Sequence, residues 1–152
     1  RLQENYSETL IINPRLRKPV ARFVKISQPE FDSVRKLYES VMSYACHGLF
    51  FREGIALADA IVQEIEPGEE LLAGARKVLV ARGWVEEIAF GDGRARVQGS
   101  IEVSPGSGAE TCHRLRGIVS RLFEVATKKR VRFAEVECVS AGARECVFAE
   151  EG

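Results

Sequence analysis

Cys112, Glu135, Cys138 and Cys146 are the residues of this chain whose types and spacing could do chemistry. Three of the four cysteines fall in the last 41 residues, and a carboxylate stands three places before the second of them. Three thiolates and one carboxylate make a closed four-ligand set of the kind a structural zinc accepts. Cys138 and Cys146 are equidistant from Gly142. A hairpin centred there sets them opposite one another, with Cβ atoms about 4.5 to 5.5 Å apart. Zinc–sulfur bonds of about 2.3 Å at a tetrahedral centre need sulfurs under about 4 Å apart, which such a pair reaches. Glu135 lies an odd number of residues from Cys138. On a regular strand it therefore faces the other way, and its ligation needs a bulge, a strand end or a reach around an edge. Glu137 carries the same constraint, and His113, next to Cys112, competes as the fourth ligand. Without a metal, the three cysteines read as small buried hydrophobes, or Cys138 and Cys146 as a disulfide. A closed set leaves no position for water, so its role is to fasten elements together.

The elements that position these residues follow from patterning. Residues 1–8 are polar and expected to be poorly ordered, and Leu10–Asn13 and Val20–Ile26 read as short extended segments. Ser27-Gln28-Pro29-Glu30 starts a helix, with Ser27 as cap and Phe31, Val34, Leu37, Tyr38, Val41 and Met42 at helical spacing. Gly48 and Gly54 predict a break near residues 47–51, before a second helix through Ile55, Ala58, Ile61, Val62 and Ile65. A third helix is expected from about Glu69 to Arg82, ending at Gly83. Trp84–Phe90 reads as a strand and Gly91-Asp92-Gly93 as a turn. In Arg94–Val103, Ala95, Val97, Gly99, Ile101 and Val103 share one face, and Arg94, Arg96, Gln98, Ser100 and Glu102 the wet one. A fourth helix spans about Glu110–Lys129 with Cys112 in its first turn, where the helix dipole favours a thiolate. Its buried stripe is Leu115, Ile118, Val119, Leu122, Phe123 and Ala126. Val131–Val139 and Cys146–Ala149 form the last hairpin. The fold class is α+β, helices packed on an antiparallel sheet, with residues 1–19 as an arm and 20–152 as one domain.

Composition narrows the function. There are 22 basic and 22 acidic residues, a formal charge of zero, which argues against nucleic-acid binding as the main role. The one basic run, Arg15-Leu16-Arg17-Lys18, reads as a solvated approach to a strand. No apolar stretch approaches the roughly 18 residues that span a bilayer, and no signal peptide is visible. A cytoplasmic location is expected, where clustered cysteines serve metals or catalysis more than disulfides. The chain starts at Arg1 rather than Met, so it is expected to be a piece of a longer polypeptide with fused effector domains. Gly91-Asp92-Gly93 lacks the spacing and the Lys-Ser/Thr of a phosphate loop, and no serine, histidine and acid group into a triad. No hydride-donor motif is present, so an enzyme is not expected. His47, Tyr44, Phe50, Phe51, Trp84, Phe90 and Phe123 are the candidates for lining an apolar pocket with a polar anchor, although such spacings also suit plain core.

The run Cys138-Val-Ser-Ala-Gly-Ala-Arg-Glu-Cys146-Val-Phe resembles the C-terminal signature of the 4-vinyl reductase domain family, and the preceding order of elements is similar over roughly residues 20–150. The resemblance implies a fold shared with TRAPP vesicle-tethering subunits, of the ligand-binding type also found in NO-signalling and Golgi-transport proteins. It implies a domain that binds a small hydrophobic or aromatic molecule in sensing or regulation and pairs as a homodimer. In the phenol-type sensors of the family, a structural zinc sits on Cys, Glu, Cys and Cys; Cys112, Glu135, Cys138 and Cys146 match that set. Those sensors also hold the phenol through a histidine and a tryptophan; this chain has His47 and Trp84, which no motif aligns with that pair. A dimerising scaffold with no exchangeable ligand is the alternative function. Reductase action on tetrapyrrole vinyl groups rests on the family name alone.

Overall fold

The structure is a computed structural model, and it describes residues 22–152. The expected arm, with its extended segment Leu10–Asn13, lies outside the described residues, and Arg22–Ile26 join no strand. The element order is α1 (Gln28–Met42), α2 (Ala45–Glu64), α3 (Leu71–Ala81), β1 (Glu87–Gly91), β2 (Arg94–Gln98), α4 (His113–Thr127), β3 (Phe133–Glu137) and β4 (Cys146–Glu150). The strands form one antiparallel sheet in the order β1-β2-β4-β3. The expected α+β class holds, with helices on one antiparallel sheet. No described helix is long and apolar enough to cross a membrane.

Local chemistry explains the boundaries. Ser27 caps α1 with a reciprocal pair: its hydroxyl accepts from the Glu30 amide, and its own amide donates to the Glu30 carboxylate. The break after α1 comes at Ser43 (φ +52°) rather than at residues 47–51. The glycines behind the predicted break do another job. A Cβ on Gly54 would lie 2.0 Å from the Arg114 carbonyl oxygen, and one on Gly117 would lie 2.0 Å from the Phe51 carbonyl oxygen. They are the crossing point at which α2 and α4 touch backbone to backbone. α4 is consequently buried over most of His113 to Phe123, between α2 and the sheet, whereas Ala126, expected in its buried stripe, is exposed.

The core runs through Ile61, Leu79, Ile88, Val97, Leu115, Ile118, Leu122, Phe133 and Phe148, all without solvent exposure. The predicted alternation of Arg94–Val103 ends at Gly99, whose φ of +64° no longer fits a strand. The chain kinks there because the Glu86 amide reaches both the Gln98 and Gly99 carbonyls. Past the kink the faces exchange. Ser100 and Glu102, expected on the wet face, are buried, while Ile101 is only half-buried. In β3 the register shifts between Glu135 and Glu137: Glu135 faces Phe148, and Glu137 faces Val147. This is the bulge that lets Glu135 and Cys138 turn to the same side.

Candidate functional site

Three elements bring the cysteine cluster together. Cys112 is the cap residue of α4, Glu135 and Cys138 flank the bulged end of β3, and Cys146 opens β4. A turn of 3-10 helix (Val139–Ala141) and Gly142 in the left-handed region close the loop between the last two cysteines. Cys112 Sγ lies 3.8 Å from Cys146 Sγ, and Cys146 Sγ lies 3.9 Å from Cys138 Sγ. Tetrahedral zinc–sulfur bonds of about 2.3 Å give sulfur separations of about 3.8 Å. One ligand atom from each of the four residues lies within 4.8 Å of every other, an arrangement that can hold a metal ion. All three cysteines are buried and free of disulfides.

Glu135 carries a further sign. One carboxylate oxygen accepts from the Cys112 amide at 3.2 Å, while the other, Oε1, is buried without a partner. An orphaned buried oxygen costs about 1 to 3 kcal/mol unless something binds it. A cation beside three sulfurs is a fitting partner. The electrostatics agree. Burial raises the Glu135 carboxyl above its ordinary range, helped by Cys138. Hydrogen bonds from Cys112 and Cys146 hold the Cys138 thiol far below its own range. The Cys112 thiol is raised by its bonds to Cys138 and Cys146 and by burial. With protons alone, the four acids tolerate little charge between them; a divalent cation removes that penalty. The alternatives for the fourth ligand lie elsewhere. Glu137 is exposed, and the His113 ring stacks on His47 at 3.8 Å.

A second polar cluster, invisible in the sequence, lies under α1. The helix turns its charged side inward. Arg35 is buried and pairs with Asp32 (2.7 Å) and Glu39 (2.9 Å), Glu39 bonds His47 at 2.9 Å, and Gln28 donates to the Val103 carbonyl. Across the seam, Glu102 plugs the start of α4, its two oxygens accepting from the Arg114 and Leu115 amides. The Arg114 guanidinium lies 4.1 Å over Phe50 and pairs with Glu53 at 2.8 Å. These groups and Phe31, Arg35 and Thr111 line a void of about 10 Å³, the size of one water. Burial pushes the Glu102 carboxyl up to about 7 against the pull of the Leu115 amide. Its folded value exceeds the free value of 4.5, so the folded state holds the proton more tightly. That stability is complete below about pH 4.5 and is lost as pH rises through 7, by roughly 3 kcal/mol. Glu102→Gln is therefore expected to flatten the fall in melting temperature between pH 5 and 8. Equal slopes in wild type and variant would show the carboxyl to be ionised throughout.

The aromatic candidates fall into separate groups. Tyr44 is 78% exposed beside His47, and Phe50 packs on Tyr38 at 5.6 Å. Phe51 lies between the Arg116 and Arg132 guanidiniums. Trp84 meets Phe31 of α1 edge-on at 5.8 Å. Phe90 and Phe123 join Phe133 at the sheet. An open groove of about 670 Å³ lies between α3 and β1.

The sequence model of the 4-vinyl reductase domain matches residues 94–151, the stretch that holds the whole cysteine cluster. The fold of the chain is similar to two solved structures. One is the phenol-responsive sensory domain of the transcription activator PoxR with phenol, at 17% identity and a TM-score of 0.58, covering 86% of this chain and 77% of that one. The other is a vinyl-4-reductase family protein from Methanocaldococcus jannaschii, at 14% identity and a TM-score of 0.61, covering 86% of this chain and 83% of that one. No curated protein matches the chain. The resemblance read from the cysteine run is thus met both by the domain match and by the fold.

Proposed function

We propose that this chain is a zinc-stapled sensing module that binds a small hydrophobic or aromatic molecule, not an enzyme, and works in a reducing cytoplasm on behalf of fused effector domains. The observation that carries the reading is the Cys112, Glu135, Cys138 and Cys146 cluster, whose sulfur spacings suit zinc and whose orphaned Glu135 oxygen needs a partner. The zinc belongs to the frame: it ties the start of α4 to the last hairpin and leaves the other side of α4 to the ligand. That side is the seam under α1, where Phe31 and Phe50 supply apolar wall and Glu102, Arg35 and Thr111 supply polar anchors. The fold is that of a domain solved with phenol, which supports an aromatic ligand here. A ligand at the seam lifts α1, and Trp84, the sole tryptophan, reports it through Phe31.

The alternative, a dimerising scaffold, is favoured by the outer face of α1. Val34, Leu37 and Val41 are 38%, 61% and 75% exposed, while the same helix buries Arg35. An amphipathic helix set with its apolar stripe outward calls for a cover, and a homodimer expected of this family supplies one. One preparation of the full chain separates the readings. Metal analysis is expected to give one zinc per chain. Trp84 fluorescence and melting temperature are expected to shift with phenols in a panel that also holds alkanes and fatty acids. A zinc-loaded dimer in sedimentation with no response to any compound would favour the scaffold and sink the sensor.

A further inference from the structure

The sheet has one open side that the module described above does not use. β1 pairs only with β2 among the described residues, which leaves its outer edge free. The Ile88 amide donates to the carboxylate of its own neighbour Glu87, at 2.8 Å, in place of a strand. Asp92 and Gly93 alone separate the paired residues Gly91 and Arg94, so alternate residues of β1 turn their backbone groups outward. An apolar edge of this kind, Ile-Ala-Phe without proline or lysine, is a template for another strand. Beside it lies the groove of about 670 Å³, with Leu72, Ala73, Ile88 and Phe90 in its lining and Glu70, Glu87 and Asp92 among its charged residues. Its one basic residue, Arg76, is already bound to Glu87.

We propose that residues 9–13 of this chain, Thr-Leu-Ile-Ile-Asn, add to the free edge of β1 as a fifth strand and fill the groove under α3. Three observations select this occupant. The first is position. The described chain starts beside α3, with the Phe23 ring 5.4 Å under the Arg82 guanidinium just past the helix end, and the groove lies at the other end of the same helix. The ten residues from Leu72 to Arg82 span about 15 Å, whereas the eleven from Ile12 to Phe23 can span up to ~36 Å. The second is shape. Leu10, Ile11 and Ile12 are large aliphatic residues suited to a pleated, half-buried surface, and Pro14, which cannot donate to a ladder, follows them. The third is charge. Arg15, Arg17 and Lys18 follow the strand, and the groove offers Glu70 and Asp92.

Amide hydrogen exchange on the full chain tests this. Leu10, Ile11, Ile12 and the Phe90 amide are expected to exchange about 100-fold slower than in an unstructured peptide. Ile11→Asp, which puts a charge into the groove, is expected to return residues 9–13 to coil rates and to speed Phe90. β4 and the metal content stay as they were, which keeps the outcome separate from the zinc reading. Ala73→Arg, which fills the groove from α3, is expected to do the same from the other side. Coil-like exchange at residues 9–13 in the wild-type chain overturns the proposal. So does protection that disappears on dilution, which gives the groove to a segment from a second copy.

Discussion

Removing the metal from the full chain is expected to lower its melting temperature by about 15 °C, and Cys146→Ser to do nearly the same. The cluster is a crossing of three elements: the start of α4, the bulged end of β3 and the start of β4. Structural zinc in small domains contributes of order 10 kcal/mol to folding. Part of that is matched here by a core that already holds β3 and β4 together through Phe133 and Phe148. A loss of about 5 kcal/mol, at 2–4 °C per kcal/mol for a chain of this size, gives the stated shift. Thiol counting reads the same event chemically. Three thiols become reactive after chelation, while Cys46, which donates to the Ser43 carbonyl away from the cluster, stays protected in the folded fraction. Cys46→Ser is the control and is expected to leave the metal bound. An unchanged melt with no metal in the purified protein would reduce the cluster to core packing.

That cluster was legible in the sequence because its geometry is local. Gly142 lies midway between Cys138 and Cys146, and a hairpin fixes their opposition whatever else the fold does. The helices were legible from period and caps: Ser27, Pro29 and Glu30 define the start of α1 as they stand. Two things were not. The first is the meaning of a glycine. Gly54 in a run of apolar residues looks like a helix breaker, yet it serves a close approach to a carbonyl sixty residues away, and no local signal reports that. The second is the polar seam. Ser100 and Glu102 continue the wet face of β2 on paper, and only the kink at Gly99 turns them inward. A lone glycine within an alternating strand is a sign of such a bulge, so this reversal had a signal, though a weak one. The inward charges of α1 had none. Arg35 and Glu39 at i and i+4 read as a surface pair, and only the neighbours His47 and Arg114 make them interior.

Gly54→Ala is expected to destabilise the protein by at least ~2 kcal/mol, although alanine is the better helix former. Within a helix the exchange of glycine for alanine is ordinarily worth up to about 1 kcal/mol of stabilisation. Here the added Cβ would sit 2.0 Å from the Arg114 carbonyl oxygen and 2.8 Å from its carbon, and both are backbone atoms that no rotamer change can move. The two helices have to separate by more than an ångström, along the most extensive helix pairing in the fold. Overpacking of this kind costs about 1–3 kcal/mol or more. The displacement also reaches the chemistry. Arg114 is two residues from Cys112, and its amide is held by Glu102, so α4 cannot shift without disturbing the seam. Gly117→Ala meets the Phe51 carbonyl in the same way and is expected to match it, while the double variant costs less than the sum because one separation relieves both clashes. Gly48→Ala gives the contrast. It lies in α2 with nothing within 4 Å of its would-be Cβ, and it is expected to stabilise by up to ~1 kcal/mol. Denaturant melts of the three variants read the difference directly. Equal midpoints for Gly48→Ala and Gly54→Ala would mean that α2 and α4 do not touch at these glycines in solution.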